Sequence, residues 1–595
     1  MRLSARIKRD WRFLTGLFRT LGRVRSIAAN SPNLICDDLE TAVDRWRART
    51  AITFGGRTLT YGELDALANR FAHWAQEVGI HRGETVALFM PNRVEYLPIW
   101  FGLSKVGVAT ALINNQLIGA ALAHCLNISG ARHVLVDEET GEAFEAARSL
   151  YQHDLQEWTL SEAHTGQRNL ASAMRGVSPL RPDRSVREGL TARDTALFIY
   201  TSGTTGLPKA ARITHMRAQL YMRAFAGATG AQPSDRIYVT LPLYHATGGL
   251  CGMGAALLTG ASVALRDRFS ASHFWTDVVA EGCTMFVYIG ELCRYLANQP
   301  AHPDETRHKL RLAFGNGLRP EVWTVMLERF RLPHILEFYG STEGNVSMFN
   351  FDGKLGAIGR LPPYLKGIFN VRLVRFDVES EAPVRDAKGF CIEAAADEAG
   401  ECLGEIHEDA RTAYTGYADK AASEKKVLTD VFRKGDRWFR TGDLLRKDAD
   451  GYFFFVDRIG DTFRWKGENV STSEVASALL KAPGVEEANV YGVAVQGAEG
   501  RAGMAGLVVG DGFDVKAFSK QVFASLPAYA QPVFLRLQPR IETTGTFKYR
   551  KMDLVADGFD PEKVHDPLYV RDPEKGYVTL TKPVYDQLLA GEVRI

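Results

Sequence analysis

Seven cysteines are scattered through 595 residues, at 36, 125, 251, 283, 293, 391 and 402, and no two stand in a C-x-x-C pair. That spacing offers no zinc ribbon and no dithiol redox motif, and an odd number cannot close completely into disulfides. A recognisable signal peptide is lacking as well, so a reduced, cytosolic compartment is expected. Net charge is almost absent, +2 at pH 7, which gives no overall pull toward nucleic acid or acidic partners. There is no internal repeat and no low-complexity tract. The 46% hydrophobic and 24% charged content is that of an ordinary soluble protein. At this length several domains are expected.

A convincing membrane span is missing too. Residues 237–265 hold no Asp, Glu, Lys or Arg and are long enough to cross a bilayer. They also hold Pro242, His245 and five glycines, and Ala, Ser and Thr dilute their hydrophobicity. A buried strand, turn and helix is the expectation. The first 26 residues differ. Leu3, Ile7, Trp11, Leu14, Phe18 and Leu21 recur at spacings of three or four, among eight basic residues and one acid, Asp10. Such a basic amphipathic helix suits an anionic membrane surface, or a seat on its own protein with a solvated basic face. Peripheral contact with the inner face of a membrane is favoured.

The body of the chain, past a short loop around 30–33, is patterned. Thr60 and Glu63 form a capping box ahead of an apolar stripe at Leu64, Leu67, Phe71, Ala75 and Val78. Residues 84–90 and 133–137 read as buried strands, with a helix within 94–107 between them. Strand and helix alternating in this way imply a parallel α/β sheet, with a ligand site at the carboxyl ends of its strands. Residues 376–410, acidic and rich in Ala and Gly, read as an irregular surface excursion. After about 458, short strands (486–495, 505–510) mix with helices (472–482, 515–526), as in a small separate domain.

"YTSGTTGLPK" (200–209) continues from the apolar run "TALFIY". Its glycines free the backbone to turn N–H groups outward, and its hydroxyls and Lys209 add donors, a combination suited to a phosphate chain. It is not the common phosphate loop, in which lysine directly follows the last glycine. A plain Gly/Thr turn is the competing reading.

Four further motifs lie downstream: "LPLYHATGG" (241–249), "EFYGSTEGN" (337–345), "RTGDLLRKDADGYFFFVDRIGDTFRWKGENVS" (440–471) and "TTGTFKYRK" (543–551). In this order, over about residues 35–570, the chain resembles the adenylate-forming enzymes. The long fourth motif and "GTFK" in place of the commoner "TGK" look most like the fatty-acid transport protein and very-long-chain acyl-CoA synthetase branch. The resemblance implies an α/β fold with a large N-terminal domain of parallel sheets (35–457), preceded by the basic helix (1–34). A small mobile α+β domain (458–595) would complete it, hinged at Gly460 or Asp461. It implies activation of an acid by ATP to an acyl-adenylate, then transfer to the thiol of CoA.

The same resemblance assigns roles. Thr201, Ser202, Gly203, Thr204, Thr205, Gly206 and Lys209 would cradle the β- and γ-phosphates. Lys548 would bridge carboxylate and α-phosphate, although by composition it reads as one of a basic patch with Arg550 and Lys551. Glu343 would be the Mg²⁺ ligand, with Thr342 nearby at the phosphates. Tyr339 would stack on adenine, with Gly315, Asn316 and Gly317 across from it. Asp443 and Arg458 would hold the ribose. His245 would stand between the acyl pocket and the thiol channel, and the uncharged stretch after it would wall that pocket. "WKGEN" (465–469) would face pantetheine. Partners are then a fatty acid, ATP and CoA, with no nucleic acid and a homodimer left open. Long or very long acyl chains lead. A carrier-protein acyl-AMP ligase, an uptake protein coupled to activation and a bile- or sterol-acid ligase stay open beside them.

Overall fold

The computed structural model describes the chain except residues 1–2, 161–167, 202–206, 379, 410–411, 467, 497–499, 542–550, 573, 591 and 593–595; at 3–5, 469 and 552 it describes backbone only. The described chain divides into two compact units, one of residues 1–370, 404–428 and 437–439, the other of 371–403, 429–436 and 440–595.

The first unit holds two large sheets. In one, β1 (Thr50–Phe54) and β2 (Arg57–Thr60) form a hairpin, and β10 (Arg236–Val239), β11 (Ser262–Leu265), β12 (Met285–Ile289), β13 (Leu312–Asn316), β14 (Ile335–Gly340) and β15 (Ser347–Asn350) complete the order β15-β14-β13-β12-β10-β11-β1-β2. Its interior pairs are parallel and its two outer pairs antiparallel. The other sheet runs β7-β6-β5-β3-β4-β8-β9, from β3 (Thr85–Phe89), β4 (Ala109–Leu112), β5 (His133–Val136), β6 (Gln156–Thr159), β7 (Arg168–Asn169), β8 (Thr195–Thr201) and β9 (Lys209–Thr214). Only its β8–β9 edge is antiparallel. Near-continuous apolar strands such as Val134–Val136 are what a sheet covered on both faces requires.

The capping box forms as expected. Thr60 Oγ1 accepts from the Glu63 amide at 3.2 Å and Glu63 accepts from the Thr60 amide at 2.8 Å, opening the helix Tyr61–Glu77. The uncharged stretch is β10, a turn, a helical segment from Thr247 to Leu257, and β11, all largely buried. Among the described residues no helix is long and apolar enough to cross a membrane.

Helix α1 (Leu3–Val24) seats on the first unit by an unexpected face. Phe13, Gly16, Thr20 and Val24 are buried, whereas Ile7, Trp11 and Phe18 of the apolar stripe are 63%, 72% and 67% exposed. Small residues permit the seat. A Cβ on Gly227 would come within 2.7 Å of the Thr20 Cα, and one on Gly16 within 2.4 Å of the Phe351 ring. Arg360 Nη2 donates to Asp10 at 2.7 Å.

The second unit has its own core around Trp465, Leu479, Tyr491, Met504 and Phe534. A five-stranded sheet, in the order Val485–Val493, Ala502–Val509, Phe534–Leu537, Leu568–Asp572 and Gly576–Thr579, has one parallel pair among antiparallel ones. The expected surface excursion is exposed over 384–389 but is corrected at its end. Ala399–Glu405 is a strand in which Glu401, Cys402 and Leu403 are fully buried. Its Ala/Gly-rich sequence hid it, because those residues carry little strand signal yet suit close packing. All seven cysteines are buried and unpaired, and burial pushes every one of their thiols upward.

Candidate active site

β8 ends at Thr201 and its partner β9 begins at Lys209, the two residues standing opposite each other. Ser202 to Gly206, between them, lie outside the described residues, as does Lys548. The chain leaves β9 into the helix His215–Thr229, capped by the Thr214 side chain. On its first turns Arg217 and Tyr221 reach a distant loop. Tyr221 Oη donates to the Ser341 carbonyl at 2.7 Å, and Arg217 Nη2 donates to the carbonyls of Ser341, at 3.1 Å, and of Gly344. The helix that follows the glycine-rich segment thus holds the loop carrying Thr342 and Glu343.

A third segment closes the group. Residues 416–418 lie against β9, the Arg212 amide donating to the Gly416 carbonyl at 3.2 Å and the Ala418 amide to that of Ala210 at 2.9 Å. This pairing delivers Tyr417, which sequence reasoning missed. Its hydroxyl donates to Glu343 Oε1 at 2.9 Å and interacts with the Thr201 side chain, while the Lys209 ammonium lies 5.6 Å from its ring centre. Burial first, and then the Glu343 charge, push the Tyr417 hydroxyl above its ordinary range, so it stays a donor at neutral pH. The only signal in the sequence was "YTGY" (414–417), which reads equally well as a turn.

A carboxylate and an ammonium flanking one phenol, at the carboxyl end of β8, make a setting for a phosphate chain and a hard cation. Among the described residues no cluster of three or more His, Cys, Asp or Glu could hold a metal. Glu343 would supply Mg²⁺ with a single carboxylate ligand, leaving the remaining oxygens to phosphate and water.

A second wall forms where β13 ends. Gly317 has φ of +81°, and the approach behind it is close. A Cβ on Gly315 would lie 2.2 Å from the Tyr288 carbonyl oxygen, and one on Gly290 1.7 Å from that of Gly317. The Leu318 amide donates to Glu337 Oε1 at 3.0 Å and the Tyr288 hydroxyl to Oε2 of the same carboxyl. Complete burial pushes Glu337 up to about 8, so it is largely protonated at neutral pH. Glu337 heads the motif "EFYGSTEGN", yet sequence reasoning gave it no role. It ties the Gly315–Gly317 turn to β14, two residues before Tyr339 on the same face of that strand. Asn316 Oδ1 is buried with no hydrogen-bond partner among the described residues, an acceptor free for an exocyclic amine such as that of adenine.

His245 is half-buried at the end of the loop after β10. Its carbonyl accepts from the Gly249 amide at 2.8 Å, starting a π-helical turn over Thr247–Gly252. Such turns are rare and gather at functional sites. Asn92 fixes the loop, its amide donating to the Leu241 and Arg266 carbonyls at 3.0 and 2.9 Å and its oxygen accepting from Leu243 at 2.8 Å. Gly248 and Gly249 are needed because a Cβ on either would meet the Pro242 or Leu243 carbonyl oxygen, at 2.6 and 2.1 Å.

Within the second unit, Asp443 and Arg458 are direct cross-strand partners, with Arg458 Nε 3.7 Å from Asp443 Oδ1. Gly460 has φ of +90°, and Asp461 accepts from Lys551 Nζ at 3.0 Å, which also donates to Thr472 Oγ1 at 3.0 Å. In the "WKGEN" stretch, Lys466 has φ of +51°.

Residues 39–389 match the AMP-binding enzyme family and 474–548 its C-terminal domain. The chain is 40% identical to long-chain fatty acid transport protein 2 of Rattus norvegicus, over 98% of this chain and 96% of the relative. To long-chain fatty acid transport protein 3 of Homo sapiens it is 44% identical, over 86% and 76%. Among solved structures, a benzoate CoA ligase from Burkholderia xenovorans LB400 superposes with a TM-score of 0.73, at 21% identity over 88% of this chain and 100% of that one. A Mycobacterium tuberculosis fatty acyl CoA synthetase superposes with a TM-score of 0.62, at 22% identity over 88% and 98%. These two likenesses establish the fold. The near-complete alignments at about 40% identity go further: the chain is an AMP-forming acid–CoA ligase of the adenylate-forming superfamily and belongs to the long-chain fatty acid transport protein family.

Proposed function

We propose that the chain is a long-chain or very-long-chain fatty acyl-CoA synthetase working peripherally on the inner face of a membrane. The observation that carries the ligase chemistry is the convergence of Thr201, Lys209, Glu343 and Tyr417 on one spot beside the glycine-rich segment. The acyl class rests on the uncharged stretch after His245 and on the names of the relatives.

A carboxylate is a poor electrophile, and joining it to ATP brings two anions together. The carboxylate oxygen attacks the α-phosphorus, the bond to the bridging oxygen breaks, and pyrophosphate leaves. The thiolate of CoA then attacks the acyl carbonyl and expels AMP, its proton passing to solvent. Thr201 and Lys209, with Ser202 to Gly206, donate to the departing phosphates. Lys548 neutralises charge between carboxylate and α-phosphate. Tyr417 orients Glu343, the proposed carboxylate ligand for Mg²⁺; when bound, that ion screens phosphate charge. The Gly315–Gly317 turn and Tyr339 hold adenine, Asp443 and Arg458 the ribose. Swinging about Gly460–Asp461, residues 458–595 would exchange Lys548 for the "WKGEN" stretch at the carbonyl.

The test is release of AMP and formation of thioester by purified protein with Mg-ATP and CoA. The acids run from short to very long chains, with one bile acid. AMP and acyl-CoA appearing together with a long-chain optimum supports the reading. A bile-acid optimum moves the substrate class, and pyrophosphate exchange without thioester moves the acceptor to a carrier protein. Lys548→Ala separates transport from ligation: uptake surviving loss of ligation would mark an independent transporter.

A further inference from the structure

The first helix leaves part of its apolar stripe outside. Phe13, Gly16, Thr20 and Val24 face the protein and Leu14 and Leu21 pack partly against it, while Ile7, Trp11 and Phe18 face out. An amphipathic helix that packed only for stability would bury that stripe. The seat is also firm. Beyond the close glycine contacts, Arg19 Nη2 donates to the Ala228 carbonyl at 2.7 Å and Arg23 Nη1 to that of Leu258 at 3.1 Å. The exposed stripe is therefore held out by the fold.

A second element widens it. Arg360 is fully buried, bonded to Asp10 and stacked over Phe13 at 5.4 Å, so the chain after it runs beside the first turns of α1. On that chain Tyr364 is 57% exposed and Ile368 is 68% exposed; burial and then the nearby Asp10 charge raise the Tyr364 hydroxyl above its ordinary range. Around these apolar groups stand the exposed cations Arg6, Lys8 and Arg12, with Lys366 on the second element. The local acid, Asp10, is already bonded to Arg9 and Arg360.

We infer that α1 and residues 363–368 form one docking surface for an anionic lipid bilayer. Ile7, Trp11, Phe18 and Ile368 insert into the acyl boundary, Tyr364 lies at headgroup level, and the cations meet lipid phosphates. This rests on the membrane-working enzyme proposed above and names its partner. The charge distribution favours lipid over a second copy of the chain, because two such faces would bring like charges together.

The test is co-sedimentation of the full chain with phosphatidylcholine vesicles, with and without phosphatidylglycerol, alongside ligation of a soluble short-chain acid. Wild type is expected to pellet with anionic vesicles and to be partly released by high salt. Trp11→Glu with Phe18→Glu lowers binding about tenfold, and Tyr364→Glu with Ile368→Glu by a smaller factor. Leu180→Glu, an exposed leucine elsewhere (73%), has no effect. Ligation of the soluble acid and the melting temperature stay as in wild type for every variant. Vesicle binding that is absent, or unchanged by both pairs of substitutions, overturns the inference. A wild-type dimer made monomeric by Trp11→Glu, without vesicle binding, overturns it in favour of self-association. Absence of ligation in wild type would instead count against the enzyme reading alone.

Discussion

Two side chains to which the sequence assigned no role hold parts of the site in place. Tyr417 holds the Glu343 carboxylate with one hydrogen bond. Tyr417→Phe keeps the ring beside Lys209 and removes that bond, so pyrophosphate exchange should fall about tenfold, equivalent to about 1.4 kcal/mol, with the melting temperature nearly unchanged. Glu337 makes a different prediction, about pH. Its folded pKa is raised to about 8, so between pH 4.5 and pH 8 the folded state keeps a proton that the unfolded state releases. The stability it contributes is complete below the ordinary carboxylate range and is lost as pH rises through that window. Glu337→Gln keeps a neutral side chain of the same shape and should flatten the decline, read as melting temperature against pH. Glu337→Ala should also raise KM for ATP, because the Gly315–Gly317 turn loses its tie through Leu318.

At the scale of elements, helices fasten loops and charges fasten helices. Arg217 and Tyr221, on the helix His215–Thr229, hold the Ser341–Gly344 loop by carbonyls alone. Arg217→Met should lower adenylation more than it lowers stability, seen as a clear loss of kcat with a small shift in melting temperature. Lys105 is fully buried between helices, 2.5 Å from both Asp65 and Asn69 and 3.1 Å from Glu40. Lys105→Ala takes one cationic partner from each of two buried carboxylates, Asp65 keeping Arg181 and Glu40 keeping Arg187 at 3.0 Å, and should cost roughly 1–3 kcal/mol, measured by denaturant unfolding. Elements of this kind divide by how local their causes are. The capping box at Thr60, the strand at 133–136 and the helix at 472–479 were legible because neighbouring residues decide them. The buried strand at 399–405 was hidden by its small residues. The helical period of α1 was plain, but its buried face was not, since that depends on Gly227 and Phe351, hundreds of positions away. Tyr417 and Glu337 escaped for the same reason: their partners, Glu343 and Tyr288, come from other elements, so neither a lone Tyr nor the first residue of a motif shows what it holds.

For the whole molecule, residues 463–588 carry a hydrophobic core of their own, so calorimetry should resolve a second unfolding transition. Removal of divalent metal by a chelator should abolish AMP release and added Mg²⁺ should restore it, while both transitions persist, because metal would be held by one carboxylate and the nucleotide and not by the fold. The seven buried cysteines carry a last consequence. An acyl-adenylate is a mixed anhydride that acylates whatever thiolate it meets. Every thiol of the chain is shut away from solvent, with its acidity suppressed by burial. The molecule therefore offers its own intermediate no internal sulfur to capture it. An adenylate left waiting for CoA would be lost to water or retained, and the catalyst would not be consumed by its own product.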